Sequence, residues 1–433
     1  MMTRLEVTDD ASFEAAVDRL CRGHAGAEAG QEDKLADVSA IVDAVRERGD
    51  DAVAEFTDKF DGVALRPEQF ELTPDEIDGA ASQVDAALLG SLERAHARIR
   101  DFHGKHLRQS WEETCDDGTV LGQRVTPIER VGVYVPGGKA FYPSSVMMNI
   151  APASVAGVED IVMVSPPSYE GSIHPAVLAA ARIAGATRVF RIGGAQAVAA
   201  LAYGTAHVPS VLKIAGPGNI YVTLAKRLVT SVCAIDSEAG PSEVVVIADD
   251  KADPRFVAAE LLAQAEHDED ARSILITPSR EMADSVLAEV ESQAAALPRR
   301  AIIQASLSAQ GAVVVVGDLD EAARLTDLIA PEHLSIQTGA PREVLEKVHN
   351  AGAVMLGRMT PVALGDYIAG PNHVLPTGRR ARFASPLTAE DFRKVSSVIS
   401  YSHERLVADA DDVVRLADAE GLTAHAKAVE MRK

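Results

Sequence analysis

Several places along the 433-residue chain carry side chains whose types and spacing could do chemistry. Glu260, Gln264 and His267 recur at spacings of four and three, which places them on one face of a helix. Asp253-Pro254 would start that helix, with Asp as N-cap and Pro at the first helical position. Phe256, Leu261, Leu262 and Ala265 supply its apolar positions. The polar stripe reads either as a solvated face or as a metal or substrate site made by Gln264 and His267. Glutamine is an unusual zinc ligand, since His, Cys and carboxylates dominate, so the helix pattern alone favours the solvated face. Glu332 and His333 follow Pro331, which stops a helix expected over 321–330, and they lead into a strand. An acid and an imidazole at the mouth of a strand suit proton transfer, because α/β sites gather at strand carboxyl ends or in adjoining loops; an ordinary loop pair is the alternative. His103 and His106 share a helix but have no nearby carboxylate or third ligand, and no metal is expected there.

Three glycine turns could admit a phosphate to the backbone: Val135-Pro136-Gly137-Gly138, Gly193-Gly194-Ala195-Gln196 and Gly216-Pro217-Gly218-Asn219. No GxGxxG fingerprint, P-loop or GxSxG elbow is present, so a nucleotide would bind in another way than at a standard Rossmann site.

The elements that must position these groups change in texture along the chain. The first third reads as helical. Thr73-Pro74-Asp75-Glu76 has the form of a capping box, and a long helix is expected to follow, with Leu88, Leu92, Ala95, Ile99 and Phe102 on one stripe and Gly104 near its end. From Val131 onward, short β-branched runs alternate with Ala-rich helical stretches. Strands are expected at 131–135, 161–165, 189–192, 211–214, 244–248, 273–277, 312–316, 333–337 and 353–356, which implies βαβ units and parallel sheets. The run from Asp160 is echoed from Arg272, and the run from Val189 from Val313. Two related α/β halves would give such echoes, and so would the ordinary likeness of any two βα units. After Gly378 come a basic irregular stretch and two short helical patterns, too small a tail for a core of its own; it must dock on its own body or on a partner subunit.

Composition excludes several classes of function. Hydrophobic residues make up 47% of the chain, enough for a sizeable core and too many for a disordered chain. A net charge of -22 repels phosphate backbones, which argues against nucleic-acid and anionic-membrane partners. No apolar run reaches membrane-spanning length, the N-terminus has no signal-peptide plan, and Cys21, Cys115 and Cys233 lie too far apart in sequence for a CxxC knuckle. A cytoplasmic protein is expected.

A set of segments in order resembles the histidinol dehydrogenase family over nearly the whole chain, from about Ala27 to His425. They run from Tyr134-Val-Pro-Gly-Gly-Lys-Ala-Phe-Tyr-Pro-Ser-Ser through the turns at Gly193 and Gly216 to Ile235-Asp-Ser-Glu-Ala-Gly-Pro-Ser-Glu. Gln264-Ala-Glu-His-Asp, Ala330-Pro-Glu-His-Leu, Gly365-Asp-Tyr, Gly370-Pro-Asn-His-Val-Leu-Pro-Thr-Gly and Glu420-Gly-Leu-Thr-Ala-His complete the set. The resemblance implies two incomplete Rossmann-like α/β domains, a helical N-terminal part, and a C-terminal helical tail exchanged in a homodimer. The implied division is 1–26 as an N-terminal segment, 27–133 plus 242–380 as the larger domain, 134–241 as the NAD-side domain, and 381–433 as the tail. It further implies one Zn2+ per subunit held by Gln264, His267, Asp366 and His425. Substrate contacts would come from Ser242, His333 and Glu420 besides the metal ligands, and NAD contacts from Tyr134, Gln196 and Asn219. The implied reaction is oxidation of L-histidinol to L-histidine through L-histidinaldehyde with two NAD+, His333 acting as base and Glu332 activating water. A relative acting on another amino or sulfonate-bearing alcohol, and a dead ligand-binding sensor, are the competing readings; a sensor would be expected to lose Glu332, His333 or a zinc ligand. No cysteine lies in a matching catalytic motif, so a thioester route is not expected. Lys139 departs from the family pattern and is expected to face solvent.

Overall fold

The computed structural model describes residues 2–22, 31–105, 107–137, 141–238 and 240–433; His106 and Lys139 lie outside them. Its strands are β1 (Thr3–Glu6), β2 (Trp111–Thr114), β3 (Val120–Pro127), β4 (Arg130–Tyr134), β5 (Asp160–Val164), β6 (Arg188–Phe190), β7 (Lys213–Ala215), β8 (Ala234–Ile235), β9 (Glu243–Ala248), β10 (Arg272–Thr277), β11 (Ala312–Val315), β12 (His333–Gln337), β13 (Ala353–Leu356) and β14 (Arg393–Ser400). All nine strands expected from the β-branched runs form, each within two residues of its expected bounds at either end.

Two parallel sheets carry the α/β part. One has the order β6-β5-β4-β7-β8; the other has the order β1-β11-β10-β9-β12-β13. Counted from the first strand of each βαβ run, both follow the 3-2-1-4-5 order of a doubly wound half, the second with β1 added at its edge. The two sequence echoes fall on corresponding strands: β5 with β10, and β6 with β11. The inner strands of both sheets are buried on both faces, which is why they read as continuous Val and Ile runs. Alternation sends Val244, Val246 and Ala248 into one core, while Val245 and Ile247 enter the core on the other side.

The N-terminal helices pack on the five-stranded sheet. Val38, Val42, Val45, Val53 and Phe56 of helices Gln31–Arg48 and Asp50–Asp61 join Val162, Val164 and Ile214 on one face. Leu92, Ala95 and Ile99 of helix Ala86–Gly104 join Val131, Val133 and Met163 on the other. The segment grouped in sequence with 242–380 is therefore placed here against β4–β8. The expected long helix after Thr73 is two. Thr73 caps Pro74–Ala81 in a capping box, and Asp85 caps a second helix, whose Leu88 and Phe102 stay exposed. His103 is buried, and burial pushes its imidazole down to about 4.

The expectations missed the antiparallel sheet β14-β3-β2, along with β1 and β8. Its strands are mostly exposed, so no apolar alternation marks them. The tail continues from β14 into helices His403–Ala419 and Thr423–Glu430, which leave Leu416, Leu422 and Met431 exposed. No helix among the described residues is long and apolar enough to cross a membrane.

Candidate active site

Glu332 and His333 stand at the amino end of β12, beside the amino end of β9; these are the two central strands on either side of the switch in strand order. The strand-mouth expectation thus holds for position but not for its reason, since the carboxyl ends lie at the opposite edge. Strand β12 is forced to begin at His333: Pro331 cannot continue the preceding helix Leu319–Ile329, and Ala330 turns the chain out of it with φ 49°. His333 pairs in register with Val244 of β9, which brings Ser242 and Glu243 beside it. The Glu332 carboxylate accepts the Glu243 N–H at 2.9 Å and lies 3.6 Å from His333 Nδ1. His333 Nδ1 is 3.3 Å from the Glu243 carbonyl, and Nε2 is 3.6 Å from Asp366 Oδ1 with no hydrogen-bond partner. Burial alone would lower this imidazole, but the Glu332 and Asp366 carboxylates outweigh it and raise it to about 10. Burial likewise opposes the charge of Asp366, yet His333 holds its carboxyl below the ordinary range.

The helix Pro254–Ala265 brings two more of the sequence-predicted groups to this edge, since a helix returning from a strand ends at the sheet's amino side. Its polar stripe is not a solvated face: Glu260 is 5% exposed and Gln264 3%. Glu260 accepts the Val362 N–H at 3.0 Å, tying this helix to Val362–Tyr367, which carries Asp366. Gln264 Nε2 is buried without a partner. His267 lies just past the helix end, exposed, and close enough to act electrostatically on Asp366. Among the described residues, no three His, Cys, Asp or Glu side chains gather as a metal-binding group, so His425 does not join His267 and Asp366 within the chain. Glu420 and His425 are exposed on the tail.

The other candidates collect at the carboxyl edge of the five-stranded sheet. Tyr134 ends β4 and is buried; its Oη accepts the Gly194 N–H at 3.1 Å, and burial pushes the phenol up to about 12. Gln196, 1% exposed in the first turn of helix Gly194–Tyr203, has neither amide atom partnered. Asn219 caps helix Ile220–Leu228 through Oδ1, which accepts from Tyr221 and Val222 N–H.

Three residues of this region had no role from the sequence. His373 links the two sheets' helices: Nδ1 is 3.1 Å from the Asp366 carbonyl, and Nε2 is 3.5 Å from Ser145 Oγ. Asn372 donates to the Met148 carbonyl at 2.6 Å. Glu243, buried, receives the Gly378 N–H at 2.8 Å and faces Arg272 at 3.4 Å. The only available signal was their place inside quoted motifs. Burial keeps Cys21 and Cys233 as thiols, the latter pushed up to about 12, which speaks against thiolate chemistry from either.

Comparison with known proteins gives one answer. A family model described as histidinol dehydrogenase matches residues 25–433. Histidinol dehydrogenase of Synechococcus sp. is 50% identical over 424 residues, covering 98% of this chain and 97% of the relative. That of Geobacter sulfurreducens is 50% identical over 435 residues, with complete coverage of both. The crystal structure of histidinol dehydrogenase from Elizabethkingia anophelis superposes with a TM-score of 0.93 at 33% identity, covering 100% of this chain and 98% of that one. By sequence and by architecture alike, the chain belongs to the histidinol dehydrogenase family and is an oxidoreductase enzyme.

Proposed function

We propose that the protein oxidises L-histidinol to L-histidine through L-histidinaldehyde, reducing two NAD+ in turn, with one zinc ion per active site, as a homodimer. The observation that carries this reading is the cluster of buried Glu332 and His333 with half-buried Asp366, whose one unpartnered ring nitrogen, His333 Nε2, faces a carboxylate and needs a further partner.

Each oxidation removes a hydride from carbon and a proton from oxygen. His333 Nδ1–H, directed at the Glu243 carbonyl, leaves the Nε2 lone pair to take that proton. The hydride passes to the nicotinamide. In the second stage water adds to the aldehyde carbon. One oxygen of Glu332 is engaged by the Glu243 N–H, so the other is available to accept the proton of that water. The hydrate then yields its hydride to a second NAD+ and its O–H proton to His333, which leaves the carboxylate of histidine. One base thus serves both oxidations.

Gln264, through its amide oxygen, fits with His267 and Asp366 as three ligands of a zinc site, its unpartnered Nε2 being left as a donor toward a bound group, and His425 of the exposed tail would supply the fourth from the partner subunit. When bound, zinc supplies a positive charge that anchors the substrate's amino and imidazole nitrogens and offsets the charge of Asp366. With Asp366 so engaged, one of the two carboxylates that hold the proton on His333 is offset, which moves the imidazole toward the neutral form that a base must be, against the remaining pull of Glu332. Ser242 at the start of β9 and Glu420 on the tail would complete substrate binding. Tyr134, Gln196 and Asn219 would hold NAD; the Gln196 amide, buried without partners, is the group most in need of a ligand. The exposed apolar groups of the tail support docking on a second copy.

Product stoichiometry tests the reaction. Two NADH and one L-histidine per L-histidinol are expected; one NADH with release of the aldehyde would reject the four-electron assignment.

A further inference from the structure

The turn that carries Asn219 is gripped from below by a buried ion pair. Lys226, on the second turn of helix Ile220–Leu228, and Asp236, just after β8, have side chains only 2% and 4% exposed. Lys226 Nζ donates to the Gly216 carbonyl at 2.9 Å and to Asp236 Oδ1. Asp236 Oδ2 accepts the Gly216 N–H at 2.8 Å. Both polar groups of one glycine are thus held by the two halves of one ion pair. That glycine cannot be relaxed by a larger residue: its φ is +116°, and a Cβ there would sit 2.1 Å from the Tyr134 carbonyl oxygen. Gly216 is therefore pressed against the backbone of Tyr134, whose hydroxyl holds Gly194 in the turn leading to Gln196. The pair thus reaches two of the candidate cofactor turns, Gly216 directly and Gly194 through Tyr134.

Burying two charges carries a desolvation cost that well-packed apolar side chains would avoid, so stability alone is a poor reason for the pair. What it adds is direction, since an ammonium and a carboxylate fix the N–H and the C=O of Gly216 at once. Asn219 needs that direction. Its Oδ1 is taken by the helix cap, which leaves Nδ2 as the donor whose aim depends on the turn. We propose that Lys226 and Asp236 are positioning residues of the cofactor side, holding residues 216–219 so that Asn219 meets the nicotinamide cofactor. This rests on the assignment of Tyr134, Gln196 and Asn219 to NAD given above.

The test uses the full-length, zinc-loaded enzyme and compares Lys226→Met/Asp236→Asn with Asn219→Ala and Gln196→Ala. The double variant removes both charges without leaving one unpaired and keeps an acceptor for the Gly216 N–H. Expected are a rise of roughly tenfold in the NADH Kd, read by fluorescence, and in KM for NAD+, with KM for L-histidinol within about twofold and zinc content unchanged. A folded double variant with unchanged NADH Kd, or with both KM values raised alike, would overturn the proposal. If the double variant does not fold, Lys226→Arg, which keeps the charge pair but moves the donor off the Gly216 carbonyl, reads the same split, with a smaller selective rise expected and no rise overturning it. Unchanged NADH binding in both Asn219→Ala and Gln196→Ala would instead overturn the cofactor assignment, and the proposal with it.

Discussion

The two α/β sheets share a strand order but present opposite edges to the candidate site, and the difference sorts the chemistry. At the five-stranded sheet the residues stand at strand carboxyl ends and helix N-termini, with Gly194 and Asn219 opening their helices. The positive end of the helix dipole suits a dinucleotide's phosphates there. At the six-stranded sheet they stand at strand amino ends and helix C-termini, with Gln264 and Asp366 in the last turns of theirs. That end of a helix is electronegative, and it gathers Glu332, Glu260 and Asp366 around a histidine raised to about 10. On the reading proposed above, one topology therefore offers an anion-binding edge and a cation-binding edge, and the reaction runs where cofactor and metal meet between them.

The comparison can be broken most sharply at the electronegative edge. His333→Ala should lower kcat for both oxidations by about a thousandfold, while zinc content by atomic absorption stays at one per subunit. Normal turnover would remove His333 as the base. Glu332→Gln should cost about a hundredfold on L-histidinaldehyde and clearly less on L-histidinol in single-turnover assays, since only the aldehyde stage needs water. Equal losses would count against the water role. His425→Ala should weaken zinc binding by at least about tenfold in a competition titration with a chelator, and unchanged affinity would show that the tail donates no ligand.

The smallest effect concerns stability. In metal-free protein the His333 pKa is raised above its ordinary 6.5. The stability this contributes is fully present below pH 6.5 and is lost as pH rises through about 10. Urea midpoints of chelator-stripped protein should therefore fall over that window, and Asp366→Asn should flatten the fall. A profile identical to that of Asp366→Asn would mean that the carboxylate does not hold the proton on His333.

How much of this was legible in the sequence depended on burial. Strands β9 to β12 are covered on both faces, and their Val and Ile runs announced them. Strands β2 and β14 expose most of their side chains, and β3 buries only Gly122 and Val125, so nothing in their pattern distinguishes them from loops. The helix pattern alone favoured a solvated face for Glu260 and Gln264, because periodicity reports which residues share a face, not what covers it. Here Val362–Tyr367, a hundred residues on, does the covering. The nearness of His333 to Asp366 has the same origin, since parallel pairing of β12 with β9 and the crossover after β13 are tertiary facts. The strands and turns around Tyr134, Gln196 and Asn219 could be read locally because each follows its own strand. The role of Gly216 could not, because its two partners come from a helix and a loop further along the chain.

The division of labour between the two edges is tested most directly by titrating chelator-stripped protein with NADH and, separately, with L-histidinol, before and after zinc is returned. The NADH Kd should stay within about twofold throughout, while L-histidinol binding should be weaker by roughly a hundredfold without metal and recover with it. Loss of NADH binding on stripping, or L-histidinol binding that ignores zinc, would contradict the assignment of cofactor and substrate to opposite edges.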